Sequence, residues 1–290
     1  MIKGTGVALV TPFNTDYSID YNSLANIVEH CIHGGLEYLV VLGTTGEGPT
    51  LSKEEKKQVF AFVAKQAAGR ISLVAGIGGN DTLEVVNTMN SFDKTGYSAI
   101  LSVSPYYNKP NQEGIYLHYM ELAKAAPLPI IIYNVPGRTG MGMSAATTLR
   151  LAHASDKFIA IKEASGNPEI FMDIIKGKPA NFSVISGDDN LTVPFMAVGM
   201  VGVISVIAQA YPREYSDMVR MALAGNFTEA SKLHFKLYDL MKAIFADGNP
   251  GGIKVLLQNL GLCKNVVRLP LAPVNKQVEE SLLSLAKAFN

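Results

Sequence analysis

Cysteine is scarce in this chain of 290 residues, which carries only Cys31 and Cys263. Two thiols so widely separated offer no metal-binding spacing and no framework of the kind that staples small secreted domains, so a reducing compartment fits. An excess of either charge is also missing, with 25 Lys plus Arg against 25 Asp plus Glu. Such a balance supplies no field to attract nucleic acid or an anionic membrane, and neither is expected as a partner. No stretch reaches the roughly 18 uninterrupted apolar residues of a membrane span. The opening "MIKGTGVALVTPF" holds one lysine and no cleavage pattern, and reads as a strand rather than an export signal. A cytoplasmic location is the expectation.

What is present is alternation. Hydrophobic residues make up 48% of the chain, and many fall in short β-branched runs: GVALV (6–10), YLVVLG (38–43), ISLVAG (71–76), SAILSVS (98–104), PIIIYN (129–134), FIAIK (158–162), FSVISG (182–187) and VGVISV (201–206). Apolar residues at consecutive positions suit strands covered on both faces, as in parallel sheets. Between the runs lie segments of helical period. Leu24, Ile27, Val28, Cys31 and Ile32 form one stripe. Ser52 followed by Glu55 spells a capping box ahead of Val59, Phe60 and Val63. Asn167 and Pro168 read as an N-cap and first-turn proline. Eight βα units predict a closed (β/α)8 TIM barrel over residues 1–224, with a doubly wound open sheet as the alternative. Beyond about residue 225 the strand signal stops. Leu233, Leu237, Leu240, Met241 and Ile244 form a stripe, and "NPGGIKVLLQNLGL" starts another helix after a Pro-Gly turn. Residues 225–290 are therefore expected to be a helical extension, packed on the barrel because no Ser/Gly-rich linker intervenes.

Chemistry in a barrel of this kind is built at the carboxyl ends of the strands. The second run leads into GTTGEGPT, where Thr44 and Thr45 and the turn's N–H groups can face an anion, although a plain turn explains them as well. The fourth leads to SPYYNKP, with Tyr106 and Tyr107 at the rim, where paired tyrosines more often pack than catalyse. The fifth ends in YNVPGRTG, with Tyr133 at the strand end and Arg138 in the loop. The seventh gives SGDD, in which Gly187 permits close backbone approach and Asp188 and Asp189 are expected to cap a helix. None of His30, His33, His118, His153 and His234 falls at an expected strand end, which argues against a metal triad and a Ser/His/Asp relay. AGIGGN leaves the dinucleotide fingerprint incomplete, and no Walker pattern occurs.

The sixth run ends on Lys162. A strand-end lysine can simply snorkel to water; the sharper reading is a desolvated amine used as a nucleophile. A free lysine has a pKa near 10.4, so imine formation needs desolvation or a neighbouring cation. Phe158, Ile159, Ala160 and Ile161 supply the first, and Arg138 is the candidate for the second. Tyr133, one strand over, can carry protons as carbinolamine becomes imine, with Thr44 linking it to solvent.

In their order and spacing, GTTGE, SPYYNKP, YNVPGRTG and IKEASG resemble the dihydrodipicolinate synthase family of pyruvate-dependent lyases and aldolases, a superfamily that includes N-acetylneuraminate lyase. The resemblance runs down to RLPLAPV at 268–274. It implies that Lys162 forms a Schiff base with pyruvate and that Tyr133 relays protons with Thr44 and Tyr107. Tyr107 would reach into a neighbouring subunit, making a tight dimer the functional minimum and a homotetramer the expected assembly. Thr45 and the backbone at Ile204 would hold pyruvate, with Gly187 at the substrate. Arg138 would hold the carboxylate of L-aspartate 4-semialdehyde through its guanidinium fork. Neither a metal nor a cofactor is implied beyond the covalent pyruvate–lysine imine. Asn80, Glu84 and Tyr106 match the site where L-lysine inhibits sensitive members. Gly48, Pro49, Lys53 and Lys56 stand where those members often carry Ser, Ala and His, and two extra ammonium groups repel a cationic ligand. Weak or absent lysine inhibition is the expectation. Two other readings stay open: another 2-oxo acid aldolase or lyase of the superfamily, which Arg138 in PGRTG disfavours, and a catalytically silent barrel that binds a 2-oxo acid.

Overall fold

The computed structural model describes residues 2–289. Its strands are β1 (Gly4–Ala8), β2 (Tyr38–Val41), β3 (Ser72–Gly76), β4 (Tyr97–Val103), β5 (Ile130–Asn134), β6 (Phe158–Glu163), β7 (Ser183–Ser186) and β8 (Gly202–Ser205). They pair in parallel and in chain order, and β8 returns to β1 to close a barrel of eight. The open sheet is thereby set aside. The helices are α1 (Tyr21–His33), α2 (Lys53–Ala67), α3 (Thr82–Asn90), α4 (Gln112–Ala125), α5 (Pro136–Thr139), α6 (Ala145–Ala154), α7 (Pro168–Gly177), α8 (Thr192–Met196), α9 (Pro212–Leu223), α10 (Phe227–Ala243), α11 (Gly251–Asn259) and α12 (Lys276–Phe289). A helix follows every strand, the one-turn α5 being an insertion before α6.

The consecutive apolar pattern resolves into two packed faces, because neighbouring strand residues point to opposite sides. Val40, Val74, Leu101, Ile131, Tyr133, Ala160, Ile185 and Ile204 fill the barrel interior. Their neighbours Leu39, Leu73, Ile100, Ile130, Ile132, Ile161 and Val184 join the helices' apolar stripes in a second, larger cluster. The helix starts follow their local chemistry. Ser52 and Glu55 form a reciprocal capping box on α2, and Asn167 accepts from the Glu169 N–H ahead of Pro168 at the start of α7.

Strand β1 lies two residues earlier than its apolar run suggests. The Val10 N–H leaves the ladder for the Gln209 side chain at 3.0 Å, and the strand instead begins at Gly4 and so contains a second glycine beside Gly6. Glycine weakens a strand unless another group needs the space. Here a Cβ on Gly6 would lie 2.0 Å from the Tyr38 ring, which crosses the barrel interior to donate its hydroxyl to the Val203 carbonyl at 2.8 Å.

Helix α9 ends at Leu223, and the helices after it pack on one another and on the barrel's last elements, α10 against α9 and α12 against both α10 and α11. In α11 the residues Gly251 to Leu257 are all buried, including Lys254. No helix among the described residues is long and apolar enough to cross a membrane.

Candidate active site

Two strand ends define the centre of the site. The β5–β6 register sets Tyr133 opposite Lys162, and both follow inward-facing residues by two positions, which turns them into the barrel. Lys162 is 5% exposed and Tyr133 6%, so the lysine does not snorkel to bulk water. Its Nζ lies 4.3 Å from the centroid of the Tyr133 ring. Among the described residues the amine has no hydrogen bond and no ion pair. Gly187, at the end of β7, makes room for it. The Gly187 N–H donates to the Glu163 carbonyl at 2.8 Å, and a Cβ there would lie 2.5 Å from the Ala164 Cβ and 3.0 Å from the Lys162 Cε.

Negative charges are coupled to Lys162, from Asp188 and Asp189. Asp188 and Asp189 do not cap the turn that follows them with their side chains, unlike the expectation. Asp189 instead accepts from the backbone N–H groups of Val206 (3.2 and 3.1 Å) and Ile207 (2.9 Å), pinning the β7 loop to the β8 loop. Burial pushes the Asp188 carboxyl up to about 6, with the Lys162 charge pulling it down and Asp189 and Glu163 adding to the rise. Burial likewise raises Asp189, against hydrogen bonds from Ser205 and the two backbone groups. It raises Glu163 too, against bonds from Ser165 and Asn134. Arg138 is exposed on α5, because the chain leaves the barrel at Val135 and the helix carries the guanidinium to the rim. A signal for the acids does exist in the sequence, two directly after a strand and one directly after the lysine, but capping accounts for such a pattern equally well.

The remaining expected residues sit on other strands and loops. Thr44 and Thr45 sit in a 3-10 turn closed by Gly46 N–H to Gly43 O and Glu47 N–H to Thr44 O. Thr44 is half-buried. Thr45 is 2% exposed, and its Oγ1 accepts from the Asn249 amide at 3.0 Å. Ile204 is fully buried inside the barrel, level with Gly6. Tyr107 does not join its own chain's site: it sits in the left-handed region at φ 72 and is 88% exposed. No hydrogen bond among the described residues links Thr44, Tyr133 and Tyr107 within one chain. Asn80, Glu84 and Tyr106 gather beside that loop. The Asn80 amide donates to the Tyr106 carbonyl at 3.1 Å, and the Lys53 ammonium lies 3.3 Å from Glu84.

Behind the threonine turn is a polar anchor unseen in the sequence. Glu47 and Lys254 form a fully buried ion pair of 2.6 Å. The Lys254 ammonium also donates to the carbonyls of Thr11 (2.9 Å) and Val266 (2.7 Å), and Glu47 accepts from the Arg268 N–H at 3.0 Å. Among the described residues no group of three or more His, Cys, Asp or Glu side chains is arranged to hold a metal ion.

A buried, unpaired lysine facing a tyrosine at the carboxyl end of a barrel is a geometry that can be compared with known proteins. The model of the dihydrodipicolinate synthetase family matches residues 1–289. The chain belongs to that family. It is 54% identical to the 4-hydroxy-tetrahydrodipicolinate synthase of Parabacteroides distasonis, covering 100% of this chain and 97% of that one. Its identity to the synthase of Phocaeicola vulgatus is 50%, over 98% of this chain and 96% of that one. The crystal structure of dihydrodipicolinate synthase from Aquifex aeolicus superposes with a TM-score of 0.97 at 42% identity, covering 100% of this chain and 98% of that one. The barrel and the helices after it are thus shared along their whole length.

Proposed function

We propose that this chain is a 4-hydroxy-tetrahydrodipicolinate synthase, a lyase that condenses pyruvate with L-aspartate 4-semialdehyde on the way to diaminopimelate and lysine. The observation that carries the reading is Lys162, 5% exposed, without a partner among the described residues, and 4.3 Å from the Tyr133 ring. The Lys162 amine attacks the keto carbon of pyruvate, and the carbinolamine loses water to give an imine. Loss of a methyl proton makes the enamine, which attacks the aldehyde carbon of the second substrate. The second substrate's own amino group then attacks the imine carbon, closes the ring and expels Lys162. Tyr133 moves the protons, and burial of the reacting nitrogen keeps bulk water from intercepting the imine.

Thr45 and the backbone at Ile204 hold the pyruvate carboxylate, Thr44 passes protons outward from Tyr133, and Gly187 leaves space for the substrate beside the lysine. Arg138 at the rim receives the second carboxylate, whose position far from the reacting carbon suits a guanidinium on an exposed helix. Tyr107 completes the relay in a neighbouring copy, for which its exposure and outward direction are the support; a dimer is the functional minimum, assembled into a homotetramer. The reaction calls for no cofactor beyond the covalent imine, and a cytoplasmic site of action fits the even charge and scarce cysteine. Residues 1–224 serve as the catalytic barrel and 225–290 as its helical extension. L-Lysine inhibits weakly or not at all, because Lys53 already neutralises Glu84 at 3.3 Å.

Borohydride reduction in the presence of pyruvate, followed by peptide mass spectrometry, tests the reading. A reduced adduct is expected on Lys162; its absence there rules out imine catalysis. Turnover with L-aspartate 4-semialdehyde but not with sialic acid or sugar-derived aldehydes then separates the synthase from other lyases of the superfamily.

A further inference from the structure

We infer that Asn249, in the helical extension, is a positioning residue for the reaction: its amide fixes the Thr45 hydroxyl as a hydrogen-bond donor to the carboxylate of the 2-oxo acid. The inference deepens the proposed function and rests on it. Thr45 is 2% exposed, and its Oγ1 is 3.0 Å from the Asn249 Nδ2. A hydroxyl has one proton to give, whereas a carboxylate can only accept. With Asn249 donating into a lone pair of Thr45, the threonine proton is left over, and no acceptor for it occurs among the described residues.

The opposite orientation of the amide is worse on two counts. It would take up the threonine proton and turn two oxygen lone pairs toward an incoming anion. It would also leave the two N–H donors of the amide where the Asn249 Oδ1 now lies buried and unpartnered, and stranded donors are rarer in proteins than under-satisfied carbonyl oxygens.

Asn249 is held in place from two sides. Helix α11 starts two residues later, with the Lys254 N–H donating to the Pro250 carbonyl at 3.1 Å, and the Lys254 side chain is locked to Glu47 and to the Thr11 and Val266 carbonyls. On the other side Asp247 accepts from the Asn275 N–H and amide at 2.7 and 2.9 Å. Since Glu47 closes the threonine turn through its N–H to the Thr44 carbonyl, α11 and the residues leading into it grip that turn twice, once through the Lys254–Glu47 pair and once through the Thr45 hydroxyl. The extension is in this way part of the pyruvate subsite.

The test uses the full-length enzyme with Asn249→Ala, Asn249→Asp, Thr45→Val and the Thr45→Val/Asn249→Ala double variant. The readouts are kcat/KM for pyruvate, which reports loading of the lysine, and kcat/KM for the aldehyde, which reports the steps after loading. Asn249→Ala is expected to lower the pyruvate value about ten-fold and leave the aldehyde value within about two-fold, the effect of one directed hydrogen bond. Asn249→Asp, the same shape with an acceptor in place of the donor, is expected to lose at least as much. The double variant should be no worse than Thr45→Val, since without the hydroxyl there is nothing left to orient. Equal losses for both substrates, additive losses in the double variant, or an Asp variant that loads pyruvate like the wild type would overturn the role of Asn249. A wild-type enzyme that traps no pyruvate would instead overturn the functional reading beneath it.

Discussion

Replacing Lys254 by methionine removes a charge that no solvent reaches. Both side chains of the Lys254–Glu47 pair are at 0% exposure, and burial holds the Lys254 ammonium below the usual lysine range even though Glu47 pulls it up. The pair as a whole is thus a poor source of net stability, but breaking it is costly. Lys254→Met leaves the Glu47 carboxylate buried without a counter-charge in contact with it, the Arg268 charge acting only through space, and two carbonyls without donors, an effect of about 3–5 kcal/mol. At about 2.1 cal/mol/K per residue, a chain of 290 residues loses roughly 1.6 °C of Tm per kcal/mol, so about 4 kcal/mol corresponds to a fall of about 7 °C. Glu47→Gln alone strands the ammonium and is expected to fall by a similar amount. In the Glu47→Gln/Lys254→Met double variant no charge remains, and the glutamine can still accept from the Arg268 N–H. Its Tm should lie above that of either single variant. Calorimetry on the four proteins at one concentration and pH decides the matter. Additive losses in the double variant, or a Lys254→Met protein within about 2 °C of wild type, would refute the account.

Gly187→Ala should fold with a modest loss of about 1–3 kcal/mol from overpacking. Because its Cβ would lie 3.0 Å from the Lys162 Cε, borohydride-trapped pyruvate should form about a hundred-fold more slowly; trapping at the wild-type rate counts against Gly187 as a space-maker. Asp188 is held up near 6 by burial, so the stability it contributes is present below about pH 4 and lost as pH rises through 6. Asp188→Asn should therefore gain up to about 3 kcal/mol over wild type at pH 8 and nothing near pH 4, and a gain independent of pH would contradict the burial argument. With Lys53 on Glu84, L-lysine at about 1 mM should leave more than half the activity, and Lys53→Ala should increase sensitivity; half-inhibition of the wild type below that concentration removes the argument.

The barrel was legible because each β-branched run is local. A strand covered on both faces announces itself within five or six residues, and the caps of α2 and α7 announce themselves within four. β1 shifted most, by two residues, because the Val10 N–H is taken by the Gln209 side chain, 199 positions away, to which no local pattern connects it. The same distinction runs through the site. Lys162 and Tyr133 project directly from strand ends, so the position of each in its own run determines where it points. Asp189 acts on the β8 loop and Arg138 is carried out on an exposed helix, and both outcomes depend on the paths of loops after the strands have ended.

Most instructive is the pair of lysines set among apolar residues, Lys162 in FIAIKEA and Lys254 in GIKVLL. Each poses the same question about a charge without hydration, and local sequence answers neither. Lys254 is met by a carboxylate 207 positions away and by two backbone carbonyls, which consume all three of its protons and leave it chemically idle. Lys162 is nearly as enclosed but meets a tyrosine ring instead of an acceptor. A buried amine whose donors are all spent is a rivet, whereas one whose donors are free has lone-pair chemistry available as soon as a neighbour takes its proton. What separates the structural lysine from the reactive one is therefore the set of partners the fold delivers, and that set is written across the whole chain rather than around either residue.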